Sequence, residues 1–315
     1  MVVADRSTEG QVSARLGVSP LSWVNEVLED FGSGTTAETC LSEAASAGYA
    51  GVEMSRIFPR DAARLSELLA RHDVQLISGW YSGCLADRDL GAELEVAHTH
   101  AALLRQCGAG VMVYGECGAM AENALDVPMS ARLRLSRDAT AAYGERLTRF
   151  AEALRREHGL ALSYHHHLMM VSESLEEIEA ILAATGAGVG LLLDTGHAMA
   201  AGFDYVRLIE EFGPRINHIH LKDVRRDVLN RVRTRDSSFN EAVRAGMFTV
   251  PGDGAIDFAP IARFLSESRY AGWLVVEAEQ NPRLAPPAPT VVRARRFVEA
   301  RILEPARRSM ATGEG

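Results

Sequence analysis

Four stretches of this chain end an apolar run in groups that can hold a metal ion or move a proton: YHHH at 164–167, LLLDTGH at 191–197, HIHLKD at 218–223 and LVVEAE at 274–279. Six of the ten histidines fall between His165 and His220. In an extended strand, residues two apart share a face, so His165 pairs with His167, His218 with His220 and Glu277 with Glu279. Mixed imidazole and carboxylate groups suit Mn²⁺, Co²⁺, Fe²⁺ or Zn²⁺. A lone histidine in a strand is usually a hydrogen-bonded core residue. Asp and Glu, in contrast, are almost never fully buried unless paired or metal-bound. Asp194 closes LLLD and Glu277 closes LVVE, so these two acids argue most strongly for a metal. A histidine of 218–220 and one of His165 and His167 would complete the set.

Further groups stand near these ends. His197 lies in the turn after Asp194, and Lys222 follows His220 by two residues. A lysine there can stabilise developing oxyanion charge; the bland alternative is a surface pair with Asp223 of small energetic value. Glu53 in GVEM and Glu116 in YGECG also close strands, as substrate contacts or as structural ion pairs. Trp23, Asn25, Trp80 and Tyr81 are candidates for pocket walls or for plain packing.

These positions need a scaffold that brings strand ends together. Apolar runs at 16–19, 51–54, 74–80, 109–118, 160–167, 189–194, 216–221 and 273–279 read as strands. Between them lie helical patterns, among them 61–73, 93–107, 136–159, 172–186 and 203–213, the last of the chain running near 290–303. Continuous apolar strands are buried on both faces, as in a parallel sheet. Eight of them alternating with helices predict an α/β fold of the (β/α)8 TIM barrel type. An open doubly wound sheet would want a glycine-rich phosphate loop after its first strand, and GVSPLSW is not one. Segments 118–137 and 222–257 interrupt the alternation; in a barrel both lie on the C-terminal rim, where they could cover a pocket. The expected organisation is a polar leader at 1–15, one barrel domain at 16–305 and a flexible tail at 306–315.

Composition excludes several functions. The net charge of −9 speaks against a nucleic-acid partner, which needs a basic footprint. The arginines at 225, 226, 231, 233 and 235, with Val228, Leu229 and Val232 at helical spacing, read as a solvated helix face. No run of 18 apolar residues suggests a membrane span. Cys40, Cys84, Cys107 and Cys117 form no CxxC pair and read as free thiols, which fits a cytoplasmic protein.

The ends LLLDTGH, HIHLKD and LVVEAEQ, with VPGDGAIDF between the last two, resemble the sugar isomerase and epimerase superfamily of xylose-isomerase-like barrels. The combination of SPLSWVNE, ETCLSEAASAGYAGVE, GECG, SYHHH and FTVPGDG resembles, within it, the myo-inosose-2 dehydratase family of inositol catabolism, over about residues 16–282. The resemblance implies a metal-dependent hydro-lyase that removes water from 2-keto-myo-inositol (scyllo-inosose) to give a trihydroxycyclohexane-dione. It implies a divalent ion, Mn²⁺ or Co²⁺, and by likeness alone glutathione. The partner is then the small keto-inositol, with a homo-oligomer compatible. Carried over by position, the metal ligands are Asp194, His220 and Glu277, and His165 stands where relatives of the superfamily carry an acid. That departure favours elimination over a two-base epimerisation. The roles that follow are Glu277 or His165 as base, His197 as acid or substrate clamp, and Lys222 with Arg226 on substrate oxygens. Glu53, Trp23, Glu116 and His167 would complete the substrate contacts. The alternative is a ketose or keto-polyol isomerase or epimerase on the same barrel. A DNA-repair phosphodiesterase or a sugar sensor fits less well, for want of a basic groove or an attached DNA-binding domain.

Overall fold

The computed structural model describes residues 12–268 and 270–312. Eleven strands are found there: β1 Arg15–Val18, β2 Gly51–Glu53, β3 Gln75–Ser78, β4 Trp80–Gly83, β5 Val111–Glu116, β6 Ala161–His165, β7 Val189–Asp194, β8 Ile216–Leu221, β9 Asp223–Val224, β10 Phe248–Thr249 and β11 Trp273–Val276. Nine form one parallel sheet in the order β3-β2-β1-β11-β8-β7-β6-β5-β4. Its two ends, β3 and β4, are consecutive in the chain with a bend at Gly79 between them; the expected strand at 74–80 covers β3 and reaches β4 only at Trp80. The sheet therefore closes on itself through the chain, and the ring is the (β/α)8 barrel. Gly79 is required at the bend because a Cβ there would come within 2.8 Å of Leu104 and 3.0 Å of Met54.

Helices cover the outside. Several start where a short polar side chain accepts a backbone N–H, as Ser136 does from Ala139 and Ser174 from Glu177. The long helix Arg137–His158 ends at Gly159, whose φ of 68° is left-handed. Leu162, Tyr164, Leu191 and Leu193 face this helical layer in the main core. Inside the barrel Ile77, Trp273 and Val275 form a separate apolar plug, which leaves the interior above it to polar side chains. The register that matters is around β8: His220 stands beside Asp194 on β7 and beside Val275 on β11. Aligned parallel strands thus deliver their C-terminal side chains to one level.

The two rim insertions meet as a roof. Residues 222–257 form the antiparallel pair β9-β10 and the helices Arg226–Arg235 and Phe239–Arg244. Val228, Leu229, Val232, Phe239 and Phe248 pack with Leu28, Phe31, Leu168 and Met169 in a second core. The 118–137 segment is stitched to it by a bridge between Pro128 and Ser238, a Ser130 Oγ donation to Asp236 at 2.5 Å and an Asn240 N–H donation to the Leu125 carbonyl at 3.0 Å. Beyond 305 the expected tail is instead a helix, Glu304–Thr312, seated by Ala306, which is fully in the core. The expected leader lies, up to residue 11, outside the described residues. Among those described, no helix is long and apolar enough to cross a membrane, and all four cysteines are free thiols.

Candidate metal and proton-transfer centre

The DTGH turn shows how local sequence builds the centre. Asp194 ends β7 and uses one carboxylate oxygen to cap the next helix, accepting the His197 N–H at 2.8 Å. Its other oxygen, Oδ2, is left facing the barrel axis. The Thr195 hydroxyl donates to the Lys222 carbonyl at 2.7 Å and sits 3.1 Å from the Lys222 N–H, locking two strand ends together. Gly196 has no side chain because a Cβ would lie 2.5 Å from Lys222 Cγ. His197 then places Nε2 2.9 Å from the Lys222 ammonium.

Three buried atoms converge with no hydrogen-bond partner: Asp194 Oδ2, His220 Nδ1 and Glu277 Oε2. His220 Nδ1 lies 3.6 Å from Asp194 Oδ2 and directly against Glu277 Oε2. His165 Nε2 is 3.6 Å from the same Asp194 oxygen. Burying such atoms without hydrogen bonds is costly, so their convergence fits a cation-binding position. The histidines are oriented for it. His165 turns Nδ1 to the His166 carbonyl at 2.5 Å, which leaves Nε2 as the inward lone pair. His220 turns Nε2 to Glu53 Oε1 at 3.1 Å, which leaves Nδ1. Fixing the far nitrogen of a ligating histidine in this way is the usual outer-shell device of metal sites.

The charges point the same way. Burial alone would raise the Asp194 pKa, yet Lys222 and His197 hold it well below the usual range. Glu277 is likewise opposed by burial but held down to about 2 by His220 and Lys222. Burial should make His220 less basic; Glu277 and Glu53 instead drive its pKa well above normal. Asp194, Glu277 and Glu279 gather around Lys222, and Glu53 meets His218 and His220, so carboxylates crowd the centre. The residues fit a divalent ion held by His165, Asp194, His220 and Glu277.

A second cluster adjoins the first. His167, His197 and Glu279 each present a ligand atom within 4.8 Å of the others. The His167 Nδ1–H faces the Leu168 carbonyl at 2.7 Å, leaving Nε2 free. Burial, then its histidine neighbour and Lys222, keep both His167 and His197 neutral by pulling their pKa values well below 6.5. His197 also has donors at both edges, the Leu168 N–H 3.3 Å from Nδ1 and Lys222 at Nε2. The neutral ring has one lone pair and one N–H, so it accepts from one of these two donors, and the contact with Lys222 makes it a partner of that ammonium. Burial raises the Glu279 pKa against the pull of Lys222. His167 and Glu279, each 9% exposed, are the most accessible groups of the centre.

Other expected site residues lie elsewhere. Glu53 is inside, as a hub: its Oε1 meets His218 Nε2 at 3.0 Å, His220 Nε2 at 3.1 Å and the Ser78 hydroxyl at 2.6 Å, the structural pairing the sequence also allowed. Glu116 points to the helical layer, where it accepts from the Tyr114 hydroxyl at 2.8 Å. Trp23 is buried away from the axis and donates to Glu43 at 2.6 Å. Asn25 folds its own loop by accepting from Val27 and Leu28, and Tyr81 packs outward on Phe150. Arg226 is exposed on the insertion helix and borders an outer groove with Asp204 and Asp257. Asp223 makes no pair with Lys222; it gathers the N–H groups of Val224, Gly252, Gly254 and Ile256 and so folds the VPGDG loop.

Trp80 is the expected wall residue that does reach the centre, 5.6 Å from the His165 ring and 6.0 Å from that of His167. Gly115 makes room for it, since a Cβ would fall 2.1 Å from the indole. Phe239 and Phe248 close the opposite side from the roof. Phe239 lies 5.2 Å from the His167 ring, and Phe248 5.0 Å from His197 and 4.6 Å from the Lys222 ammonium. Phe248 opens the FTVPGDG run, but both residues come from the insertion, so no strand pattern places them at the centre.

Residues 41–301 match the family model of the xylose isomerase-like TIM barrel. The chain is 42% identical over 276 residues to the rhizopine catabolism protein MocC of Rhizobium meliloti, covering 88% of this chain and 85% of that one. It is 36% identical over 294 residues to inosose dehydratase 1 of Bacillus cereus (91% and 97% covered) and 35% identical over 289 residues to an inosose dehydratase of Clostridium perfringens (91% and 97%). Among solved structures it resembles the IOLI protein with a bound zinc atom, with a TM-score of 0.66 at 15% identity, covering 92% and 98%. An L-ribulose 3-epimerase gives a TM-score of 0.68 at 19% identity, covering 96% and 98%. These last two likenesses concern the fold alone.

Proposed function

The chain belongs to the xylose isomerase-like TIM barrel family and, within it, to the inosose dehydratases, and from that membership we propose how its residues carry out the reaction. The enzyme is a hydro-lyase of inositol catabolism that removes water from 2-keto-myo-inositol and yields a trihydroxycyclohexane-dione. The observation that carries the reading of the centre is the meeting of Asp194 Oδ2, His220 Nδ1 and Glu277 Oε2 as unpartnered buried atoms beside a buried lysine.

Dehydration next to a ketone needs a proton removed from the α carbon and a hydroxyl expelled from the β carbon, its oxygen taking up a proton. When bound by His165, Asp194, His220 and Glu277, a divalent cation, Mn²⁺ or Co²⁺, supplies Lewis-acid polarisation of the ketone. Since Glu277 and His165 are committed there, the base is His167. Its Nδ1–H is held by the Leu168 carbonyl, which leaves its Nε2 lone pair, and with Glu279 it is the most accessible group of the centre. Glu279, the strand-end acid that Lys222 meets less closely than Glu277, at 3.5 against 2.8 Å, protonates the departing hydroxyl. Lys222 holds oxygen charge as it develops, and His197 positions Lys222. Trp80, Phe239 and Phe248 wall the pocket against water, which strengthens each of these interactions. Arg226 has no part in it.

The test is incubation of 2-keto-myo-inositol with chelated protein, then with the same protein reloaded with Mn²⁺ or Co²⁺, with and without glutathione. Appearance of an ultraviolet-absorbing dione only after reloading supports the reading. An isomeric keto-polyol without water loss would support the isomerase alternative. The 42% identity to a rhizopine catabolism protein favours one second reading, in which the natural substrate is a different compound met in rhizopine breakdown. A far higher kcat/KM on such a compound would establish it.

A further inference from the structure

Lys222 is fully buried, and its ammonium is surrounded by atoms that ordinarily bind metals. Glu277 Oε1 lies at 2.8 Å, His197 Nε2 at 2.9 Å, Glu279 Oε2 at 3.5 Å and Asp194 Oδ2 at 3.7 Å. Beside it, His167, His197 and Glu279 form a ligand set that shares no residue with His165, Asp194 and His220. The strand ends therefore offer donors for two cations, with Asp194 and Glu277 between the two positions.

We propose that the Lys222 ammonium is the resident cation of a second metal position, and that it holds the enzyme to one divalent ion per chain. This rests on the metal reading given above. An ammonium and a second divalent ion cannot share the same donors, because like charges at contact distance in a buried site repel strongly. Nor can the lysine step aside. Its stem runs past Gly196, where a Cβ would be 2.5 Å from Cγ; its backbone is bonded at both the N–H and the carbonyl to Thr195; and its head lies over Phe248 at 4.6 Å. Unlike a metal, this cation survives chelation and carries protons.

The experiment measures bound Mn²⁺ by elemental analysis after equilibrium dialysis, together with the electron paramagnetic resonance spectrum, which separates an isolated ion from a magnetically coupled pair. Wild type should hold one ion with an isolated signal. Lys222→Met, which keeps the volume and removes the charge, should hold two with a coupled signal, and Lys222→Met with Glu279→Gln should return to one. Two ions in wild type, or one ion in a Lys222→Met protein with a native circular dichroism spectrum, would overturn the proposal. If Lys222→Met does not fold, Glu279→Gln alone decides: one tightly held ion supports the assignment, and loss of that ion overturns it. Failure of wild type to bind any divalent ion would remove the metal reading too, whereas one ion in both wild type and folded Lys222→Met removes only this proposal.

Discussion

Glu53 Oε1 lies 3.1 Å from His220 Nε2, across a sequence separation of 167 residues. That contact decides which nitrogen of His220 faces Asp194 and Glu277. Glu53→Gln keeps the shape but can offer its amide group in place of an acceptor, so the ring is no longer fixed. Metal affinity should fall by roughly 10–100-fold, the usual cost of losing such a partner, with the far-ultraviolet circular dichroism unchanged. Competition with a chelator measures it, and an unaltered affinity would show that His220 is oriented by something else.

Gly196→Ala tests the passage of Lys222. The added methyl must displace the lysine stem, because the nearest stem atom is 2.5 Å from where it would sit. A shift of about 1 Å in a group that stabilises charge costs on the order of 10²-fold in rate. The variant should lose that much in kcat while its bound metal remains, since Asp194 still ends β7.

Glu116 gives a pH-dependent stability unrelated to the chemistry. Burial pushes its pKa up to about 7, against the pull of the Tyr114 and Gly118 donors. The unfolded chain releases this proton near pH 4.5 while the folded chain keeps it until about 7, so stability falls as pH rises through that window. The shift corresponds to on the order of 3 kcal/mol. Glu116→Gln resembles the protonated form at every pH. Denaturant melts should show the variant gaining on wild type between about pH 4.5 and 7 and levelling off above, and a constant difference would contradict the assignment.

Arg226→Ala should do almost nothing. The side chain is exposed on the insertion helix, and surface changes of this kind usually stay within about 0.5 kcal/mol. A large loss of kcat/KM would return Arg226 to the substrate.

The barrel is legible in the alternation of apolar strands and helices, and the burial of Asp194 and Glu277 in one centre is legible because they break a rule: an acid at the end of an apolar run needs a partner. Glu53 breaks it too, but its strand is only three residues long, and its histidine partners lie far along the chain. The sequence therefore leaves it open between a substrate contact and a structural ion pair, and does not name the histidines it meets. Glu116 was misplaced because alternation along a strand says which residues share a face, not which face is inward. Gly115, opposite Trp80, settles that. Phe248 opens the quoted FTVPGDG run, yet the place of Phe239 and Phe248 over the centre depends on how the 222–257 insertion folds back, which no local pattern specifies. Lys222 was singled out, yet its separation from Asp223 appears only once Asp223 is seen folding the next loop.

The central claim is that Asp194, His220, Glu277 and His165 hold the cation on which dehydration depends. The most direct measurement is of Asp194→Asn, with bound metal and dione formation from 2-keto-myo-inositol determined on the same sample. Asparagine can still cap the helix but brings no charge to the centre. The variant should fold, bind the ion far more weakly and lose dione formation. Full metal occupancy together with wild-type turnover would contradict the account.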